Sequence, residues 1–128
     1  MPVANSQVQR MRVIEDLTAT WSYAPPAAGL VNSTTAVTIK AAVAGKKNCI
    51  THIGVSTETM ATATELVIRK GAGGTVLWRT KLNTALQRFD EAFDTPLQSD
   101  VNQLLEICLL TLSATGAVYV NAQGFEAS

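Results

Sequence analysis

Thr64-Glu65-Leu66-Val67-Ile68-Arg69-Lys70-Gly71-Ala72-Gly73-Gly74-Thr75-Val76-Leu77-Trp78-Arg79-Thr80-Lys81-Leu82 is the stretch that decides the fold class. Leu66 and Ile68 share one parity, Val67 and Arg69 the other, and Val76 and Trp78 repeat the alternation after the glycines. A period of two belongs to a strand, whose successive side chains point to opposite faces. Gly71 to Gly74 supply the permissive backbone that a tight reversal needs. The stretch reads as a β-hairpin.

The same period extends in both directions. Val37, Ile39, Ala41 and Val43 share a face, and Gly45-Lys46-Lys47-Asn48 then reads as a turn. Ile50 to Thr57 follows, with Ile53 and Val55 together and His52 opposite. Downstream, Arg88 to Asp94 is a shorter candidate carrying Phe89 and Phe93, and Asn102 to Ala114 is the most apolar run. Ala117 to Phe125 closes the series, with Val118, Val120 and Ala122 alternating against Tyr119, Asn121 and Gln123. About eight strands with no helix at the crossovers predict an antiparallel β-sandwich of jelly-roll type, two four-stranded sheets face to face. Residues 29–128 form that domain in this reading.

Residues 1–28 read differently. They open polar and mixed in charge, and Pro25-Pro26-Ala27-Ala28-Gly29 ends them as a stiff, extended connector. Val8, Met11 and Ile14 recur at a helical spacing for barely two turns, whereas Leu17 to Tyr23 alternates as a strand. The segment is expected to be an N-terminal arm containing one edge strand. Val13, Ile14, Leu17 and Trp21 are its apolar side chains without an evident place in a sandwich already supplied with strands, and they are the candidate attachment residues.

In 128 residues there is room for one core and little more. Ten basic residues balance ten acidic ones, which argues against nucleic-acid binding through bulk charge and against a polybasic lipid contact. Only 16% of residues are charged, so little like-charge repulsion keeps copies apart. No apolar run approaches the ~20 residues of a membrane span, and the first dozen residues lack a secretory apolar stretch. The expectation is a chain made and kept in a cytoplasm, with no membrane partner. Cys49 and Cys108 each sit in a strand-like apolar run, which predicts buried, reduced thiols.

Leu104 to Leu112 is apolar on both parities: Leu105, Ile107 and Leu109 on one, Leu104, Cys108, Leu110 and Leu112 on the other. A sandwich strand needs one apolar face, so the second must be covered by the arm, by a loop or by another copy. Leu104, Cys108, Leu110 and Leu112 are accordingly the candidate subunit interface.

Nothing in the chain assembles into reaction chemistry. His52 is the single histidine and has no orienting partner nearby in sequence; with two scattered cysteines it makes no zinc set. Gly71 to Thr75 lacks the Gly-Lys-Ser/Thr ending of a phosphate loop and lies between strands. Asp90, Glu91 and Asp94 read as a solvated acidic edge rather than a calcium loop. Glu91 nonetheless shares parity with Phe89 and Phe93, a conflict that a bulge or an edge strand resolves. No nucleophile elbow occurs. Neither an enzyme nor a bound metal or cofactor is expected.

The closing stretch Ala117-Val118-Tyr119-Val120-Asn121-Ala122-Gln123-Gly124-Phe125 resembles the ends of small virion proteins of tailed bacteriophages. Lys47 to Val55, the hairpin Leu66 to Gly71 with Thr75 to Trp78, and the Asp94-Thr95-Pro96-Leu97 turn are similar to the same family. The likeness spans about residues 35 to 125 and implies a jelly roll, often trimeric, located in a virion. It further implies a structural role, decorating or cementing the outside of a capsid or forming part of a tail or fibre. The partners implied are the chain itself, as a homotrimer, and a major capsid protein or other virion protein. The alternative from another class is a carbohydrate- or receptor-binding jelly-roll module, for which Trp21, Asp90, Glu91 and Asp94 are the sequence candidates.

Overall fold

The computed structural model describes residues 19–30 and 33–128. They form eight strands: β1 (Thr20–Tyr23), β2 (Val37–Lys40), β3 (Lys47–Thr57), β4 (Thr64–Lys70), β5 (Thr75–Leu82), β6 (Gln87–Gln98), β7 (Leu105–Leu109) and β8 (Val118–Ala127). Two four-stranded sheets result, ordered β1-β8-β3-β6 and β2-β7-β4-β5, with every pairing antiparallel. That order is the jelly roll. Only β4 and β5 are joined as a hairpin; every other connection crosses between sheets.

The core lies between the sheets. Val118, Val120 and Ala122 of β8 and Ile50, Ile53 and Val55 of β3 meet Leu66 and Ile68 of β4 and Leu105, Ile107 and Leu109 of β7. Ile50 and Ile53 are three apart and both buried, which strict alternation forbids. The register shifts between Ile50 and His52 in both pairings of β3, so Thr51 is the extra residue of a bulge that restores the inward face. Trp78 and Phe93 close the β5/β6 side edge to face, with ring centroids 6.2 Å apart. On the other side, Trp21 and Tyr23 of β1 pack against the core.

Three sequence expectations are corrected. Asp94-Thr95-Pro96-Leu97 is no turn but part of β6, an edge strand of twelve residues. Ile50 pairs with Leu97 and His52 with Ala92, so residues 93–96 bulge out of the ladder, and Pro96 needs no ladder donor there. The same edge position leaves Glu91 exposed, although its parity is that of Phe89 and Phe93. The strand expected over residues 102–114 is the five-residue β7, so Leu104 precedes it, and Leu110 and Leu112 follow it in a loop. Lys47 and Asn48 belong to β3 rather than to a turn. The buried Asn48 amide donates to the carbonyls of Ala41 (3.0 Å) and Gln103 (2.9 Å), clamping two loops to the sandwich.

Cys49 and Cys108 are buried and free. Burial pushes the Cys49 thiol above its ordinary 9.0, a shift that Lys47 partly opposes. A raised pKa means the unfolded chain forms thiolate more readily. The associated stability is therefore complete below about pH 9 and is lost as pH rises towards the folded value. Ellman's reagent should leave the native chain unmodified for minutes at neutral pH and release two equivalents once guanidinium unfolds it. Prompt reaction of the native protein would contradict this packing.

Candidate functional site

The β3–β4, β5–β6 and β7–β8 loops gather at one end of the sandwich and are tied to one another. Met60 N–H donates to Thr84 O (2.9 Å), and the Ser113 hydroxyl accepts from the amides of Ala61 (3.1 Å) and Thr62 (3.2 Å). The same hydroxyl donates to Thr115 O at 2.6 Å. Thr64 Oγ1 both donates to Thr111 O and accepts from Thr111 N–H, each at 3.0 Å, and Leu110 N–H donates to Glu65 O. Small hydroxyl side chains thus meet backbone requirements of the β3–β4 and β7–β8 loops, which explains the Thr and Ser abundance there.

What the loops present outward is nearly uncharged and includes three large apolar side chains. Leu86, Leu110 and Leu112 are 72%, 48% and 52% exposed. Within residues 58–63, 83–86 and 110–117 the one charged side chain is Glu58, and its carboxylate accepts the Ala117 amide at 2.8 Å. Leu110 also borders an open hollow of about 540 Å³, shared with Ala63, Thr64, Leu82 and Asn83 and flanked by Glu65 and Lys81. An end with exposed leucines and almost no charge can bury apolar area against another surface without desolvating ions.

The candidate interface residues divide accordingly. Leu110 and Leu112 lie on this end. Cys108 does not: it is 5% exposed, and its Sγ donates to Thr34 O at 3.0 Å, so the chain's own β1–β2 connection covers it. Leu104 is half-buried at the opposite end of β7. The outward residues of β7 are therefore Glu106 and Cys108, and the two-sided apolar strand expected from Leu104 to Leu112 is not formed. Leu86 escaped the sequence reading because it falls in an Asn-Thr-Ala-Leu loop outside any strand period.

Of the candidate attachment residues, Val13, Ile14 and Leu17 lie outside the described residues. Trp21 is half-buried, packs against the core, and donates its indole N–H to Phe125 O at 3.4 Å. Among the described residues no three His, Cys, Asp or Glu side chains gather as a metal set, and no helix is long and apolar enough to cross a membrane. Asp90 and Glu91 stand on opposite faces of the exposed edge strand β6.

No family model matches the chain, and no curated protein matches its sequence. Among solved structures, a carbohydrate-binding module of Clostridium stercorarium in complex with cellobiose is similar at 14% identity over 89% of each chain, with a TM-score of 0.40. The Tobacco streak virus coat protein dimer is similar at 8% identity over 86% of this chain and 87% of that chain, with a TM-score of 0.42. A chain of the cyanophage Pam1 capsid asymmetric unit shares 16% identity over 83% of this chain and 81% of that one, with a TM-score of 0.32. None of the three singles out a tailed-phage virion protein; the jelly roll itself is established by the strand order.

Proposed function

We propose that the chain is a non-enzymatic structural protein of a virion that decorates or cements the outer capsid surface as a homotrimer. The observation that carries this reading is the charge-poor loop end with Leu86, Leu110 and Leu112 exposed on a jelly roll. The motif resemblance of residues 35 to 125 and the low charge of the whole chain support it. Closed threefold symmetry buries the same pair of complementary surfaces in every copy. Completing the burial of a half-exposed leucine is worth roughly 1 kcal/mol, so three per subunit contribute substantially to a small interface. The segment before Ala19 enters the proposal as the part that reaches the shell, with Val13, Ile14 and Leu17 as its apolar contacts.

Light scattering tests the assembly. At micromolar concentration the parent chain should run at three times its 13.6 kDa subunit mass. Leu110→Asp combined with Leu112→Asp should give a folded monomer, because both side chains are already half in water and their replacement costs the fold under about 1 kcal/mol. A monomeric parent overturns the trimer. Gold-labelled antibody against the chain should decorate intact particles of the virus that encodes it, and unlabelled particles overturn the virion location.

A further inference from the structure

The outward face of the β1-β8-β3-β6 sheet carries a feature that the virion reading does not use. His52, Gly54 and Ser56 of β3 alternate with the buried Ile53 and Val55, so they face outward. Register then places Gly54 between Asp90 of β6 and Asn121 of β8. Ser56 stands beside Arg88, and His52 beside Gln123. A glycine therefore occupies the centre of a polar lattice on a central strand, where it weakens the strand and lets something approach the backbone. The space it leaves is a hollow of about 250 Å³ lined by these side chains.

The Asp90 carboxylate leans across that space: a Cβ built on Gly54 would lie 2.8 Å from Asp90 Oδ1 and would meet nothing else within 4 Å. Among the described residues, none of the side chains of His52, Ser56, Arg88, Asp90, Asn121 and Gln123 hydrogen-bonds to another protein group. Their donors and acceptors border the hollow without a protein partner. Arg88 and Asp90 cancel in charge, and Ser56, Asn121 and Gln123 both donate and accept. An anion or a cation would meet one favourable and one unfavourable charge. A hydroxyl, which donates and accepts at once, satisfies both kinds of partner.

We propose that this hollow binds a neutral polyhydroxylated ligand, a single saccharide ring, with Asp90 and Asn121 taking its hydroxyls over Gly54. The volume lies below the ~300–1,000 Å³ of pockets that enclose drug-sized molecules, which suits one ring rather than a chain. No Phe, Trp or Tyr side chain lines the hollow, so the affinity of one site is millimolar, and repetition on an assembly would raise it. The site stands or falls independently of the virion reading.

The test is an NMR titration of the isotope-labelled full chain with the methyl glycosides of glucose, galactose and mannose and with N-acetylglucosamine. Inorganic phosphate serves as the control for an anion site at Arg88. At least one sugar should shift the amides of Gly54, Asp90 and Asn121 saturably, and Asp90→Ala should weaken that binding about tenfold. Gly54→Ala should abolish it while leaving the fold intact, because the added methyl meets only the far end of the exposed Asp90 side chain, which can turn into solvent. The proposal is overturned if no sugar in the panel gives a saturable shift, if the shifts map elsewhere, if phosphate binds these amides more tightly than any sugar, or if Gly54→Ala binds like the parent.

Discussion

Gly124→Ala should cost the protein more than about 4 kcal/mol, enough to leave little of a typical 5–15 kcal/mol stability. Gly124 lies in β8 between Trp21 of β1 and Ile50 of β3, opposite the bulge at Thr51. A Cβ there would stand 1.8 Å from Cys49 O and 2.8 Å from Trp21 Cζ2. The first obstacle is the backbone of the central strand, which cannot move without breaking its pairings on both sides. The second is an indole seated against the core. A methyl group at this position therefore displaces β1 or opens the β3–β8 ladder, and overpacking against backbone has no inexpensive relaxation. Gly45→Ala provides the comparison. Its φ of 75° strains any side chain, but nothing lies within 4 Å of the new Cβ, so the cost is that of the backbone alone, about 1–2 kcal/mol. Urea unfolding followed by fluorescence measures both. A Gly124→Ala midpoint equal to or above that of Gly45→Ala would show that the β1–β8–β3 packing described above is wrong.

Glu106→Ala should lower stability by about 3 kcal/mol, a fall of roughly 10 °C in Tm for a domain of this size. Glu106 points out of β7 yet is 4% exposed. Its Oε2 accepts from Arg69 Nε at 2.7 Å and from a second guanidinium nitrogen of the same residue, and the Gly73 amide donates to it at 3.3 Å. The pair thus ties β7 to β4 and reaches the turn of the hairpin. Removing the carboxylate strands the guanidinium over that turn. The Arg69 side chain is 20% exposed and can still reach water, which places the loss at the lower end for a broken buried pair. Replacing both partners with apolar residues, Arg69→Met with Glu106→Leu, should recover most of the loss, since neither charge is then left unpaired. A double variant no more stable than Glu106→Ala would mean that the ion pair is not what holds the turn.

Much of this architecture is local and was legible in the chain. The β4–β5 hairpin is bounded by its own glycines and pairs residues close in sequence, so turn chemistry and alternation suffice to place it. The register shift between Ile68 and Arg69 nonetheless makes Leu77 an extra residue and sets Val76 opposite Arg69, so Val76 and Trp78 do not share a face as their spacing predicts. Alternation likewise placed Val118, Val120 and Ala122 inward, because a strand with one buried face carries its pattern in its own residues. The absence of a 3.6 period, together with many short strands, was enough for the jelly-roll class.

Pairing was beyond reach, because it joins residues far apart in sequence and leaves no mark on either strand alone. β1 lies against β8 and β3 against both β8 and β6, and these registers alone bring Gly54, Asp90 and Asn121 into one row. The bulge at Thr51 inverts the parity of β3, so counting alternate residues from Ile53 misplaces Ile50. The run from Leu104 to Leu112 shows the same limit from the other direction. Hydrophobicity marked it as buried on both sides, but the strand ends where pairing with Leu66 ends, at Leu109. Beyond that point the leucines belong to a loop whose backbone is satisfied by Thr64 and Ser113, and their side chains go to the surface. Alternation and turn residues determined that this chain folds as a β-sandwich, and composition that it is poor in charge; only the tertiary pairings decided which of its apolar residues form the core and which form a face.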